Sequence, residues 1–215
     1  MQKNFEQWLN EGQKSVQAYR YQEAIYACKQ ALNFEPDNAR ANECLGDALF
    51  GLNRFQEALV SYQQALRLNP QLLPAHRKKG DTLAGLNQKE QAQIAYSEVL
   101  ALTGRLITQH VATAETYRER SDALYGLERY EEALSAYEQA IRVDPNYATA
   151  YNNKGDTLYS LERYKEALSA YEQAIRVDPT DSTAYNGKGD ALTKLGDARK
   201  ARQAYERARQ LGEHD

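Results

Sequence analysis

Few side chains in this sequence are arranged for catalysis. The three histidines, His76, His110 and His214, are scattered, and none forms the His-x3-His or Glu-x-x-His spacing that puts two metal ligands on one helix face. The two cysteines, Cys28 and Cys44, form no Cys-x-x-Cys pair, so neither a cysteine zinc site nor a disulfide framework is expected. Cys28 reads as a small buried apolar residue, Cys44 reads as a helical residue with no base to activate it, and a reducing, cytoplasmic setting follows as the default. The glycines match neither a phosphate-cradling loop nor a nucleophile elbow. Neighbouring carboxylates such as Glu131 and Glu132 fall at a helix start, where they complement the dipole. The chain therefore reads as a non-enzyme without metal or cofactor.

A different chemistry stands in a column. Asp47, Asp81, Asp122, Asp156 and Asp190 recur in register, with Arg77, Arg118, Asn152 and Asn186 four residues before the last four of them. Lys78 and Asn153 stand three residues before Asp81 and Asp156, and Phe50, Tyr125 and Tyr159 three residues after Asp47, Asp122 and Asp156. Side-chain amides donate and accept together, as an extended peptide backbone requires. A carboxylate row selects against negative charge, and an aromatic ring adds ~0.5–2 kcal/mol of cation-π attraction to a Lys or Arg. These fourteen residues are the candidate peptide-binding set. The plainer alternative is internal pairing, Arg77 with Asp81 and Arg118 with Asp122 at i,i+4, worth ~0.2–0.5 kcal/mol each. Asp156 and Asp190 have no Arg four residues back, so the C-terminal half is favoured for a ligand.

The elements that place this column are repeats. Leu127 to Pro145 recurs as Leu161 to Pro179 with one difference, Glu131 against Lys165. The offset is 34, and the same offset separates Pro36 from Pro70, while Pro70 to Pro145 is two periods plus seven residues. Six units fit one domain over 5–215: 5–38, 39–72, 73–106, an insertion at 107–113, then 114–147, 148–181 and 182–215. Within each, small and apolar residues recur at helical spacing on two segments separated by Leu-Gly, Leu-Asn or Leu-Glu. Asn-Pro or Asp-Pro closes three units and Glu-Pro the first, because proline cannot continue a helix. Each unit is expected to be a helical hairpin.

Further positions repeat across units. A glycine is at Gly12, Gly46, Gly80, Gly155 and Gly189, an alanine at Ala24, Ala58, Ala92, Ala133, Ala167 and Ala201, and a tyrosine four residues beyond that alanine at Tyr62, Tyr96, Tyr137, Tyr171 and Tyr205. With Trp8 opening the first unit, this pattern resembles the tetratricopeptide repeat. The resemblance implies an all-α, right-handed superhelical solenoid of six helix-turn-helix repeats, with the aspartate column lining its concave face and the tyrosines wedged between hairpins, hydroxyls at the rim. It also implies a scaffold that binds a protein or peptide partner, here a neutral or basic segment. The repeat domains that clamp the C-terminal carboxylate of chaperones fit poorly, since their places here hold Arg118, Asp122, Asn153, Thr183 and Gly187.

With 27 Lys and Arg against 30 Asp and Glu, the net charge of −3 offers no footprint for nucleic acid. No apolar run approaches the ~20 residues that span a bilayer, so a membrane is not expected. Two expectations concern the ends of elements. The insertion should lengthen a helix: the apolar stripe Ile107, Val111, Ala114, Tyr117 and Leu124 points to the first helix of the fourth unit starting just after Gly104 and presenting Ile107 and Val111, the alternative being that the preceding helix runs through Gly104. The last helix should leave Ala201, Ala204, Tyr205 and Ala208 uncovered for self-association. Alternatives to the free-standing scaffold are a targeting arm of a larger protein and a self-assembling structural protein.

Overall fold

A computed structural model describes residues 3–212, and all regular structure among them is helical. Six hairpins follow one another: α1 (Phe5–Gln17) with α2 (Tyr21–Phe34), α3 (Ala39–Gly51) with α4 (Phe55–Leu68), α5 (Leu73–Gly85) with α6 (Lys89–Thr108), α7 (Ala114–Gly126) with α8 (Tyr130–Val143), α9 (Ala148–Ser160) with α10 (Tyr164–Val177), and α11 (Ser182–Lys194) with α12 (Ala198–Gly212). His214 and the last three residues of the sixth unit lie outside the described residues. Two compact parts meet between Leu102 and Thr103, within α6. In the N-terminal part α2 packs on α3 and α4 on α5, and in the C-terminal part α8 packs on α9 and α10 on α11.

Local chemistry sets the boundaries. Asn4, Asn38, Thr113 and Asp181 accept backbone N–H bonds at the starts of α1, α3, α7 and α11. Each hairpin turns through a residue with positive φ, at Tyr19, Asn53, Asn87, Glu128, Glu162 and Gly196, placed one residue past the end cap of the first helix. The following N–H then reaches back to close the turn, as Arg54 does to Leu49 at 2.9 Å and Arg163 to Leu158 at 2.9 Å.

The repeated small residues have a steric reason. A methyl group built on Gly46 or Gly155 would stand 2.6 Å from the ring of Tyr62 or Tyr171, so a first helix can lie against its tyrosine only without a side chain there. Ala58, Ala65, Ala167 and Ala174 are fully buried on the facing helices.

Three expectations need correction. The insertion lengthens α6, which runs through Gly104 to Thr108, and α7 starts only at Ala114. Gly104 keeps the N–H that proline lacks, so the hydrogen-bond ladder continues. The helix stops where His110 adopts φ 57° and Val111 donates to the Leu106 carbonyl at 3.1 Å, after which Thr113 and Thr116 cap α7 reciprocally.

The cysteines are joined: Cys28 of α2 and Cys44 of α3 form a disulfide with Cα atoms 6.0 Å apart, which removes the ground for assuming a reducing setting. Stacking brings together two helices that the 16-residue separation in sequence does not suggest.

On α12, Ala201, Ala204 and Ala208 point inward and are buried, while Arg202, Gln203, Glu206 and Arg209 face solvent. The alanines expected to be uncovered therefore pack within the hairpin, and only Tyr205 of that set is exposed. Leu9 is 1% exposed, in the cluster that holds the disulfide.

Candidate functional site

The five aspartates all lie on first helices, and each accepts a hydrogen bond from the tyrosine fifteen residues on, which sits on the second helix of the same hairpin. Tyr62 donates to Asp47 at 2.7 Å, Tyr96 to Asp81 at 2.8 Å, Tyr171 to Asp156 at 2.7 Å and Tyr205 to Asp190 at 2.6 Å, and Tyr137 donates to Asp122. The tyrosines are thus more than rim-fitting wedges. Tyr62 is 0% exposed and Tyr137 and Tyr171 2%, and burial followed by the facing carboxylate pushes all three phenols far up from their ordinary pKa. A buried hydroxyl needs a partner, and the aspartate supplies it.

This pairing was legible in the sequence. The first hairpin lacks the aspartate, with Gln13 in its place, and also lacks the tyrosine, replaced by Cys28, so the two are present or absent together.

A second set of partners decides the charge. In the N-terminal part the column is neutralised: Lys78 of α5 reaches back to Asp47 of α3, and Arg77 bonds Asp81 at 2.5 Å. Asp122 of α7 is also covered, by Arg118 at 2.5 Å and by the Asn153 amide of α9 at 3.0 Å. Lys78 and Asn153 occupy the same place in their hairpins, reaching back to the preceding aspartate.

At that place the sixth hairpin has Gly187, which lies flat against the Tyr171 ring and has no side chain to extend. The residues four before Asp156 and Asp190 are Asn152 and Asn186. Among the described residues neither carboxylate has a cation within ion-pairing distance. Loss of solvent raises the pKa of Asp156 above the usual carboxylate value, Tyr171 opposes the rise, and the negative charges of Asp181, Asp190 and Asp122 add to it. Close by, the Asn152 carbonyl oxygen is buried without a hydrogen-bond partner, and Asn186 is exposed.

The aromatic residues of the set each meet a ring at the start of the following helix. Phe50 is 5.3 Å from Phe55, Tyr125 5.3 Å from Tyr130 and Tyr159 5.2 Å from Tyr164, all tilted or edge-on. Tyr125 remains 38% exposed and shares a hydrogen bond with Ser160 at 3.0 Å. In the N-terminal part the same face holds a cavity of about 340 Å³ lined by Val16, Tyr19, Tyr21, Phe50, Arg77 and Lys78 among others. No cluster of His, Cys, Asp or Glu able to hold a metal occurs among the described residues.

Family profiles described as tetratricopeptide repeat match residues 118–171 and 153–215, and a second such profile matches 39–72, together more than half of the chain. The chain belongs to the tetratricopeptide repeat family. Among solved structures, a thermophilic tetratricopeptide repeat protein of Thermus thermophilus is 18% identical with a TM-score of 0.73, covering 88% of this chain and 99% of that one. A tetratricopeptide repeat protein of Parabacteroides merdae is 16% identical with a TM-score of 0.70, covering 97% and 78%. The human IFIT1 dimer with PPP-AAAA is 17% identical with a TM-score of 0.75, covering 96% of this chain and 50% of that one. These likenesses show a shared helical-repeat fold. Comparison with curated protein sequences finds no match. No described helix is long and apolar enough to cross a membrane.

Proposed function

We propose that this tetratricopeptide repeat protein is a non-enzymatic scaffold that holds a neutral or basic peptide segment on the first-helix face of its C-terminal part, across α7, α9 and α11. One observation carries the reading: Asp156 and Asp190 each keep a tyrosine donor but no cation, whereas Asp47, Asp81 and Asp122 are all neutralised from within. A Lys or Arg of the partner would supply the missing charge. Asn152 and Asn186 offer amides to its backbone and Tyr125 an accessible ring, while Asn153 acts mainly as a positioning residue for Asp122. The same negative wall and the net charge of −3 disfavour a polyanion here.

The test is a peptide array probed with the full chain beside Asp156→Asn/Asp190→Asn. The wild type should favour sequences containing Lys or Arg, the double variant should lose about tenfold in affinity for them, and added salt should weaken the wild type more than the variant. Equal recovery of basic peptides by wild type and by a folded Asp122→Asn/Asp156→Asn/Asp190→Asn protein would remove this face as the binding site.

A further inference from the structure

Where other hairpins carry the tyrosine–aspartate pair, the first carries Gln13 and Cys28. Cys28 stands in the register of Tyr62 and Tyr171, and Cys44 in the register of Lys78 and Asn153, the side chains that reach back to the preceding hairpin. The disulfide thus takes the place that elsewhere holds a polar junction of three side chains. We propose that Cys28–Cys44 is a reversible thiol–disulfide exchange site: oxidised, it clamps the first hairpin to the second, and reduced, it releases that hairpin and loosens the cavity wall built on it.

Three features support a reversible clamp. The bond joins helices of different hairpins, α2 and α3, so its loss acts on a stacking interface and leaves each hairpin's own connection intact. Cys28 is 0% and Cys44 2% exposed, so exchange is gated by local opening of the first hairpin and does not proceed casually. One side is nevertheless approachable, since Cys44 lines an open cavity of about 360 Å³ with Gln13, Val16, Gln17, Glu43, Asp47 and Lys78.

The chemistry closes with an external dithiol as co-reactant. Its thiolate attacks Sγ of Cys44 through that cavity, a mixed disulfide forms and Cys28 leaves as thiolate. The donor's second thiol then displaces Cys44, so the donor ends as its own disulfide while the protein pair gains two electrons and takes up two protons. An oxidant of the same disulfide class reverses the sequence. The neighbouring cavity on this face is lined from the first hairpin by Val16, Gln17, Tyr19 and Tyr21 and from beyond it by Phe50 and Lys78. Its shape therefore depends on whether the two hairpins are fixed together.

The chain contains one tryptophan, and Trp8 packs in the same cluster as both cysteines, which makes it a local reporter. The test compares the full chain purified without reductant, the same protein treated with dithiothreitol, and Cys28→Ala/Cys44→Ala. Alkylation of the folded protein, Trp8 emission and hydrogen exchange are read in each. Both cysteines should resist alkylation until dithiothreitol is added, and Trp8 emission should then change. Amides of α1 and α2 should exchange about tenfold faster while those of α9 to α12 stay unaltered, and removal of dithiothreitol under an oxidised dithiol should restore the first state. The alanine variant should match the reduced protein, and if it does not fold, the reduced wild type alone gives the comparison. Free thiols in the protein as purified, a disulfide that resists dithiothreitol while the protein is folded, or equal exchange of α1 and α2 in both states would each overturn the proposal.

Discussion

The N-terminal and C-terminal parts build the same first-helix face from the same repeat, but among the described residues only the last two hairpins of the C-terminal part leave their carboxylate without a cation. In the N-terminal part Asp47 and Asp81 are each bonded to a tyrosine and to a cation, Lys78 or Arg77. In the C-terminal part Asp156 and Asp190 keep the tyrosine and lose the cation, because Gly187, Asn152 and Asn186 occupy the supplying places. The repeat thus separates two tasks. The tyrosine–aspartate bond belongs to packing and recurs in five hairpins, whereas the third partner varies and decides whether a carboxylate is neutralised from within.

Removing the carboxylates should separate the parts most clearly. Asp47→Asn/Asp81→Asn removes the carboxylates that face Lys78 and Arg77, which are 28% and 15% exposed, and should cost about 1–2 kcal/mol per site in denaturant unfolding. Asp156→Asn/Asp190→Asn strands no cation, keeps an acceptor for each tyrosine, and should leave stability unchanged or slightly raised. Equal losses for the two pairs would abolish the distinction.

Hairpin turns provide a smaller contrast. In the N-terminal part Asn53 and Asn87 take the left-handed conformation, which asparagine tolerates, whereas in the C-terminal part Glu128 and Glu162 adopt φ 59°. Glu128→Gly and Glu162→Gly should therefore stabilise by about 0.5–1 kcal/mol each, and Asn53→Gly by less, read as shifts in denaturant midpoint.

The smallest effect is a pH dependence. A carboxyl whose pKa is raised by folding binds its proton more tightly in the folded chain, so at neutral pH its ionisation opposes folding. The penalty is relieved as pH falls through the raised folded value towards the unfolded value of 3.8. Asp156→Asn should remove this dependence and add ~0.5 kcal/mol or less at pH 7, since the carboxylate is open to solvent on one side. Stability profiles of the two proteins should converge towards pH 4. A wild type that instead loses stability relative to the variant as pH falls through this window would reverse the assignment.

Period, hairpins and buried alanines were legible because packing in a repeat fold imposes them on every unit, and six aligned copies separate them from noise. The aspartate column was legible for the same reason. The partner of that column across the hairpin was missed: the tyrosine fifteen residues on was read as a wedge with its hydroxyl at the rim, although Gln13 and Cys28 depart from the pattern together. The disulfide was hidden because its cysteines meet only through stacking of one hairpin on the next. Continuation of α6 turned on one residue, Gly104, whose N–H mattered more than the apolar stripe that pointed to α7. On α12 the alanine spacing was seen correctly, but whether that stripe faces its own hairpin or the open side is set by rotation about the helix axis.

Helices α8 and α10 differ at one position, Glu131 against Lys165, and the turns before them carry the same Leu-Glu-Arg. As building parts they are nearly interchangeable. Their contact residues alone do not distinguish α10 from α8 as a cover for α7. What separates the two seats is connection length and the first helices, where α7 carries Arg118 and α9 and α11 both carry asparagine, Asn152 and Asn186. The pairing of α8 with α7 and of α10 with α9 therefore rests on the short turns at Glu128 and Glu162, and a longer turn at either place would weaken that choice.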